Sequence, residues 1–556
     1  VKFVAQFRTN VRKLKTVYMR NDFIYFSLIS SILITAIGYF WWTPAWWFFA
    51  FLIPIIVLGI YDMTQKTHAI VRNFPIMGRL RYMMEWLRPK IYQYFVESDI
   101  DGRPFNRNQR SIAYQRAKKE LDTTPFGTQL NVYEEGYEWM NHSINAKGIK
   151  DLNDDPRIIV GNAACAKPYS ASLYNVSAMS FGSLSINAVL ALNGGAKIGK
   201  FAHNTGEGGL SKHHLQEGGD LIFQFGTGYF GCRTPEGVFS NEAFVETVSH
   251  DAIKMIELKL SQGAKPGHGG ILPAKKNTPE IAAIRKVVAG TDVLSPPFHS
   301  AFKTPVELCQ FLGKLRTLSG GKPIGFKLCV GHKSEFLAIC KAMVLTQIYP
   351  DFISIDGGEG GTGAAPLEFS DHVGMPFREA LAFAHDALTG FDLRQHIKIF
   401  TAGKIVSSFD MFRARALGAD ACYSARAMML ALGCIQALEC NRNTCPTGVA
   451  TQDPELVAGL VVSDKKTRVA RFQQSTVHGF VELLGAAGLE RPEQIRRSMI
   501  NRRISMQKVM RYDELFPYMK QGALLNEKMI PSQWKIYMEE ANPNSFDKTF
   551  EDLSVM

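Results

Sequence analysis

The chain has 556 residues, 46% of them hydrophobic and 21% charged, with a formal net charge of +12. That length and apolar content exclude a disordered chain and a small disulfide-stapled module, and they allow two or more domains around a large core. The charge is lopsided: with 18 Lys/Arg against 7 Asp/Glu, residues 1–120 carry +11 of it. Basic charge by itself suggests nucleic acid. Here it flanks a long apolar run, so a lipid bilayer is the expected partner and nucleic acid is not.

Residues 1–22 form a basic N-terminal segment with Arg8, Arg12, Lys13, Lys15 and Arg20. From Phe23 to Tyr61 there is no Lys, Arg, Asp or Glu, a run of 39 residues between Asp22 and Asp62. A membrane-spanning helix needs roughly 20 apolar residues, so the segment 23–62 is expected to be a transmembrane helical hairpin. Thr43-Pro44 supplies the break, and Trp41, Trp42, Trp46 and Trp47 suit an aromatic belt at the water interface. The spans are placed at Phe23–Trp42 and Ala45–Tyr61. Basic residues on both sides put both ends in the cytoplasm and the protein in the inner membrane. A signal peptide fits less well, because the run is too long and no small-residue cleavage site follows it. Residues 63–150 are a basic, aromatic membrane-proximal linker, expected to begin as an amphipathic helix and then wrap around the domain after it.

Residues 151–452 are expected to form one α/β domain. Short apolar runs end in Gly-rich turns and alternate with helical stretches: "LYNVSAMSFGS", "DLIFQFGTG", "IKMIELKLSQGA", "PIGFKLCVG", "PDFISIDGGEGG", "HIKIFTAGK" and "ADACYSARA". Near-continuous apolar strands separated by helices imply a parallel sheet covered on its faces. The span from about residue 170 to 450 suits the roughly 250 residues of a closed eight-stranded barrel. Residues 453–556 form a helical C-terminal extension in which "SDKKTRVARFQQSTVHGFVELLGAAG" is patterned as an amphipathic helix.

Three successive strand ends suit an anion. In "DFISIDGGEGGTGAAP", Gly358 to Gly363 satisfies G-x-G-x-x-G, but Asp371 comes too early for the ribose-binding acid of a dinucleotide fold. "FTAGKIVSSFD" follows a second strand, and "YSARAMM" brings Ser424 and Arg426 after a third. Together they fit a barrel holding a mononucleotide better than a dinucleotide unit. Lys327 in "GFKLCV" would point from a strand end into the site, where a cation stabilises a reduced flavin. On the substrate side, Lys259, Gln262 and Lys265 cluster in "ELKLSQGAKPGHGGILP", Arg285 follows on a helix, and Glu207 lies in "NTGEGGLSKHH". Several cations at one mouth suit a substrate with one or two carboxylates. His213, His214 and His268 lack metal-ligand spacing and are expected to be satisfied loop histidines.

Of the nine cysteines, Cys165, Cys232, Cys309, Cys329, Cys340 and Cys422 are scattered and expected to be small buried hydrophobes. Cys434, Cys440 and Cys445 are packed as Cys-x5-Cys-x4-Cys, and three thiolates in a reducing compartment suit a soft metal or an iron–sulfur cluster.

"SAMSFGSLS", "NTGEGG", "IELKLSQGAKPGHGGILP", "SPPFHS", "ISIDGGEGGTGAAP", "ALGADACYSARAMMLALGC" and "CNRNTCPTGVATQ" together resemble the FMN-binding synthase domain of glutamate synthase. Over residues 65–530 the chain more closely resembles the membrane-anchored FMN-binding glutamate synthase family of bacteria. The resemblance implies a (β/α)8 TIM barrel with FMN and a [3Fe-4S] cluster, reducing 2-iminoglutarate, made from 2-oxoglutarate and ammonia, to L-glutamate. It implies that Cys434, Cys440 and Cys445 ligate the cluster. Ser180, Gln262, Lys327, Asp356, Gly361, Thr362, Gly403 and Arg426 would line the flavin, with Gly358 and Ser424 in the same loops. Glu207, Lys259, Lys265 and Arg285 would surround the 2-oxo acid. Three departures shape the expectation. No amidotransferase domain is expected, hence no glutaminase activity, and no C-terminal β-helical domain. Ile271, followed by Ala274, stands where the family offers a Gln to the 2-oxo acid, which opens the pocket to a related oxo or imino acid. An electron donor or acceptor protein is an expected partner. Two alternatives are an amino-acid dehydrogenase feeding membrane quinone and a redox or scaffold subunit of a membrane complex.

Overall fold

The computed structural model describes residues 20–120 and 123–547, so most of the basic N-terminal segment, including Arg8, Arg12, Lys13 and Lys15, lies outside the described residues. The chain divides into two compact units between Arg107 and Asn108.

The first unit is helical. α1 (Arg20–Phe40) and α2 (Phe49–Thr64) are joined by a 3-10 turn, Thr43–Phe48, that opens with Pro44. Proline suits that place because its fixed φ and missing N–H cost nothing in a first turn. Gly59 lets the two helices approach: a Cβ there would lie 1.9 Å from the Phe23 ring. Both apolar segments are long enough to cross a bilayer, and most of their side chains face outward rather than into a core. Where α2 ends, Asp62 is fully buried and accepts from the Arg79 guanidinium (2.6 and 3.0 Å) and from the Ile76 N–H (2.9 Å). This pairing fixes the bend that leads into α3 (Gly78–Ile91).

The second unit holds a closed barrel of eight parallel strands in sequence order: β1 (Tyr174–Val176), β2 (His203–Asn204), β3 (Leu221–Phe225), β4 (Ile253–Lys259), β5 (Ile324–Leu328), β6 (Phe352–Asp356), β7 (Lys398–Ala402) and β8 (Ala421–Ser424). β8 closes on β1 through Cys422, Tyr423 and Ser424 opposite Tyr174, Asn175 and Val176. Nearly every strand residue is buried, which explains the near-continuous apolar runs. Helices of the outer layer include α4 (Ile186–Gly199), α5 (Asn241–Val248), α6 (Pro279–Arg285), α7 (Pro305–Leu318), α8 (Lys333–Thr346), α9 (Phe377–Gly390), α10 (Ser408–Leu417) and α11 (Arg426–Leu432). The amphipathic α12 (Val462–Ala486) packs on α4 and α10. Gly195 makes that possible, since a Cβ there would lie 2.6 Å from Val469. Beyond α12, Ile500–Arg503 pairs with Glu138–Met140 and with Val509–Arg511 in a small antiparallel sheet. The C-terminal extension is therefore helical with two added strands.

The barrel interior carries a buried carboxylate. Glu257 accepts from Asn204 (2.8 Å), Gln224 (2.5 Å) and the Ser354 hydroxyl. Buried polar groups of this kind are tolerated when each is hydrogen-bonded, and here they tie β2, β3, β4 and β6 together.

Candidate active site

In a barrel of this type the loops that follow the strands form the mouth. Lys259 ends β4, Lys327 lies opposite it on β5, and Asp356 ends β6. Lys259 Nζ lies 2.6 Å from Glu207, in the loop after β2, and donates to Gln262 at 2.8 Å. Lys327 Nζ is 3.2 Å from Asp356, which also accepts the Gly263 N–H at 3.0 Å. Lys265 Nζ donates to the Ala364 carbonyl at 2.9 Å and so joins the loops after β4 and β6. Arg285, at the end of α6, is buried over the Phe230 ring (5.2 Å) with Nη2 3.4 Å from the Phe181 carbonyl. Glycine makes its seat: a Cβ on Gly208 would lie 2.8 Å from that same nitrogen.

Burial opposes ionisation of Glu207, but Lys259, Lys265 and Arg285 outweigh it and hold the carboxyl below its ordinary range. Burial lowers Lys259 despite Glu207, and lowers Lys265 to about 8. Arg285 is pushed down to about 10 by burial, partly offset by Glu207. For Lys327 the pull of burial is exceeded by Asp356 and Glu257, so its ammonium is strengthened. Among the described residues neither Lys265 nor Arg285 has a carboxylate within ion-pair distance.

The three anion-type loops follow β6, β7 and β8. Gly358 donates its N–H to the Met375 carbonyl, and Arg426 Nη2 donates to the Glu359 carbonyl at 2.7 Å. At Gly361 a Cβ would meet Arg426 Nε at 2.6 Å, and at Gly403 it would meet the Phe377 ring at 2.7 Å. Close approach requires glycine at Gly403, while at Gly361 it leaves room for the Arg426 side chain. Ser424 Oγ instead donates to the Ile405 carbonyl (2.9 Å), and Thr362 is exposed, 3.4 Å from the Ala364 carbonyl. Ser180 sits after β1 against Gly206 and Gly208. The strand ends thus gather Glu207, Lys259, Gln262, Lys265, Lys327, Asp356 and Arg426. Ile271 is half-buried and pairs with Leu294 in a two-residue ladder.

The cysteine loop follows α11. Cys434 is pushed up to about 12 by burial, and Cys440 is raised by burial and by the charge of Cys445. Cys445 is lowered: burial opposes the thiolate, but the N–H groups of Ala450, Thr447 and Val449 and the Thr447 hydroxyl outweigh it. Among the described residues no three His, Cys, Asp or Glu side chains are gathered closely enough for a single metal ion. The histidines expected in loops have partners, although His213 and His214 lie on the short helix Lys212–Leu215: His213 meets Glu280 (3.1 Å), His214 meets Ser211 (2.8 Å), and His268 meets the Gly269 carbonyl (2.9 Å).

Sequence reasoning missed two buried residues behind the mouth. His299 Nε2 lies 2.9 Å from the Lys259 carbonyl, which can only accept, so Nδ1 takes the Tyr229 hydroxyl at 3.1 Å. Burial lowers His299 to about 4, so it is a neutral brace. Glu257 was the other; it lies two positions before Lys259, on the same face of β4, and that spacing was the available signal.

Residues 125–490 match the conserved region in glutamate synthase. The glutamate synthase large subunit-like protein YerD of Bacillus subtilis is 38% identical, over 79% of this chain and 91% of its own. The archaeal glutamate synthase [NADPH] of Methanocaldococcus jannaschii is also 38% identical, over 65% of this chain and 66% of its own. This chain therefore spans just under two thirds of that relative. A solved structure of mandelate oxidase with 3,3-difluoro-2-hydroxy-3-phenylpropionic acid aligns at 15% identity and a TM-score of 0.40, over 76% of this chain and 97% of its own. That likeness is too distant to inform the site, and the barrel rests on its own strand order. The chain belongs to the glutamate synthase family, as a glutamate synthase-like oxidoreductase.

Proposed function

We propose that the chain is a membrane-anchored FMN and iron–sulfur enzyme that reduces 2-iminoglutarate, formed from 2-oxoglutarate and ammonia, or a related imino acid to the amino acid. One observation carries this reading. Beside the Glu207–Lys259 pair stand two buried cations, Lys265 and Arg285, without carboxylates of their own. A dicarboxylic 2-oxo or imino acid brings two carboxylates and suits that surplus. The iminium nitrogen then belongs against the ionised Glu207, and Lys259 holds that carboxylate in place. His299, fixed on the Lys259 carbonyl and Tyr229, keeps the strand end rigid.

FMN fits the mouth by its cradle: Gly403 leaves no room for a side chain, Gly361 lies against Arg426, which reaches across the loops, and Lys327 supplies a buried cation at the strand end. Bound FMN would supply the two-electron transfer to the imine carbon. The cysteine loop fits a [3Fe-4S] cluster by its donors, three thiols within one twelve-residue loop: Cys434 and Cys440 both feel the charge of Cys445, and N–H groups are directed at Cys445. The cluster would relay single electrons from a partner protein. The exposed apolar α1 and α2 support a membrane anchor, and the basic residues that flank them in the sequence favour the cytoplasmic side of the inner membrane for the barrel.

The test is to purify the 556-residue chain in detergent and supply reduced methyl viologen, ammonium and 2-oxoglutarate or shorter 2-oxo acids. Flavin absorption, iron, a three-iron EPR signal and amino-acid formation are expected. Protein that takes up neither flavin nor iron would sink the reading. The apolar hairpin also favours a second direction, oxidation of the amino acid with electrons passing to quinone. Quinone reduction on adding glutamate would select it.

A further inference from the structure

Lys276 is 2% exposed, yet among the described residues it has no ion-pair partner. It ends a short 3-10 turn, Ala274–Lys276, directly after the segment that holds Gly270 and Ile271 on the substrate side. Its Nζ donates to the Ser183 carbonyl at 2.5 Å and to the Cys440 carbonyl at 3.2 Å. Ser183 belongs to the turn after β1 that carries Ser180, and Cys440 is the middle cysteine of the triplet. One ammonium therefore fastens the substrate-side segment, the turn beside the flavin cradle and the cysteine loop.

Two carbonyls satisfy hydrogen bonds but do not cancel a charge. An unpaired ammonium in the interior is costly unless negative charge lies nearby. The ammonium reaches the cysteine loop directly, through the Cys440 carbonyl, and no carboxylate among the described residues lies within ion-pair distance of it. Neutral thiols give it little, whereas thiolates bound to a cluster carry net negative charge. The burial of Lys276 is thus accounted for by an occupied cysteine loop.

We propose that Lys276 is a fixed counter-charge for an anionic iron–sulfur cluster on Cys434, Cys440 and Cys445, and that it raises the reduction potential of that cluster. This rests on the reading of the cysteine loop as a cluster site. Reduction adds one electron to a group that is already negative. A nearby ammonium in low dielectric stabilises the reduced form more than the oxidised form. Lys276 is a positioning and tuning residue, since it reaches the cluster through the loop and the field rather than as a ligand.

The test compares the 556-residue protein with Lys276→Gln and Lys276→Arg, all purified anaerobically. Gln keeps donors for both carbonyls and removes the charge, and Arg keeps the charge. Iron content, flavin absorption and a redox titration of the three-iron EPR signal are measured. All three proteins should carry flavin and cluster, with K276R titrating near the parent and K276Q at a more negative potential. Loss of iron from K276Q alone, with flavin retained, would also support the charge requirement. K276Q titrating at the parent potential would overturn the inference, as would loss of iron from both variants. Absence of iron from the parent protein would remove the cluster reading and this inference together, and that failure is recognisable because it precedes any substitution.

Discussion

Lys265 and Glu207 answer to the same surroundings in opposite ways. Burial brings the Lys265 ammonium down to about 8, so it is charged below that pH and neutral above it. If it meets a substrate carboxylate, KM for the 2-oxo acid should climb as pH rises through about 8, and substrate binding should draw the pKa upward by linkage. Lys265→Met should raise KM at pH 7 and flatten that alkaline climb. Initial rates measured from about pH 6 to about pH 10 decide it, and a pH-independent KM in the unaltered protein would remove Lys265 from the carboxylate site. Glu207 has the reverse sign. Its carboxyl is held below the ordinary range, so it stays ionised across the working range and is lost only in acid. Glu207→Gln should lower kcat by about 10²-fold or more, the scale at which a positioned acid–base or charge-bearing group acts. Flavin absorption should survive, because Glu207 pairs with Lys259 on the substrate side and is not among the residues of the flavin cradle.

Packing between elements rests on a few ion pairs that sequence patterns do not announce. Arg497 is fully buried, bidentate to Asp386 on α9 (2.8 and 3.0 Å), and donates to the Phe516 carbonyl at 2.8 Å. Arg497→Ala should destabilise the second unit by about 3–5 kcal/mol, because it leaves the buried Asp386 with only the His385 ring (3.1 Å) in place of a bidentate guanidinium. Asp386→Asn with Arg497→Met should recover part of that loss, as read in chemical denaturation. These residues also mark how far the sequence could be read. β4 and β6 were legible because their buried residues run without interruption into Gly-rich loops. β2 was not, since His203–Asn204 is two polar residues, paired in register with Val176 and with Leu221 and Ile222 on its neighbours. The amphipathic pattern of α12 announced a helix, but its packing against α4 depends on Gly195, whose meaning appears only when Val469 lies over it. Charged residues at strand ends were legible because a Lys or Asp closing an apolar run has few structural reasons to be there. His299 and Lys276 were not, because their partners, three carbonyls and the Tyr229 hydroxyl, lie far along the chain.

The two compact units differ in what surrounds their side chains. In residues 108–556 the barrel strands and the inner faces of its helices form a self-contained apolar core, closed by β8 pairing with β1. In α1 and α2 most apolar side chains face outward instead, as do most of those in the turn between them; Leu33, Trp41, Trp47 and Phe51 are each more than half exposed. Water makes that arrangement costly, at about 25 cal/mol for each Å² of apolar surface, whereas hydrocarbon removes the cost. The 556-residue chain should therefore sediment with membranes, resist extraction by high salt and carbonate, and come into solution with detergent. A chain beginning at Asn108 should stay in the supernatant, because the outward-facing apolar helices are gone while the barrel core is complete. If its mouth is as complete as its core, it should also carry flavin absorption. A salt-extractable full chain would mean that basic residues alone hold it to the surface, and a fully soluble one would end the anchor reading. A truncated chain that still sediments would instead place a second membrane contact in the unit that carries the barrel.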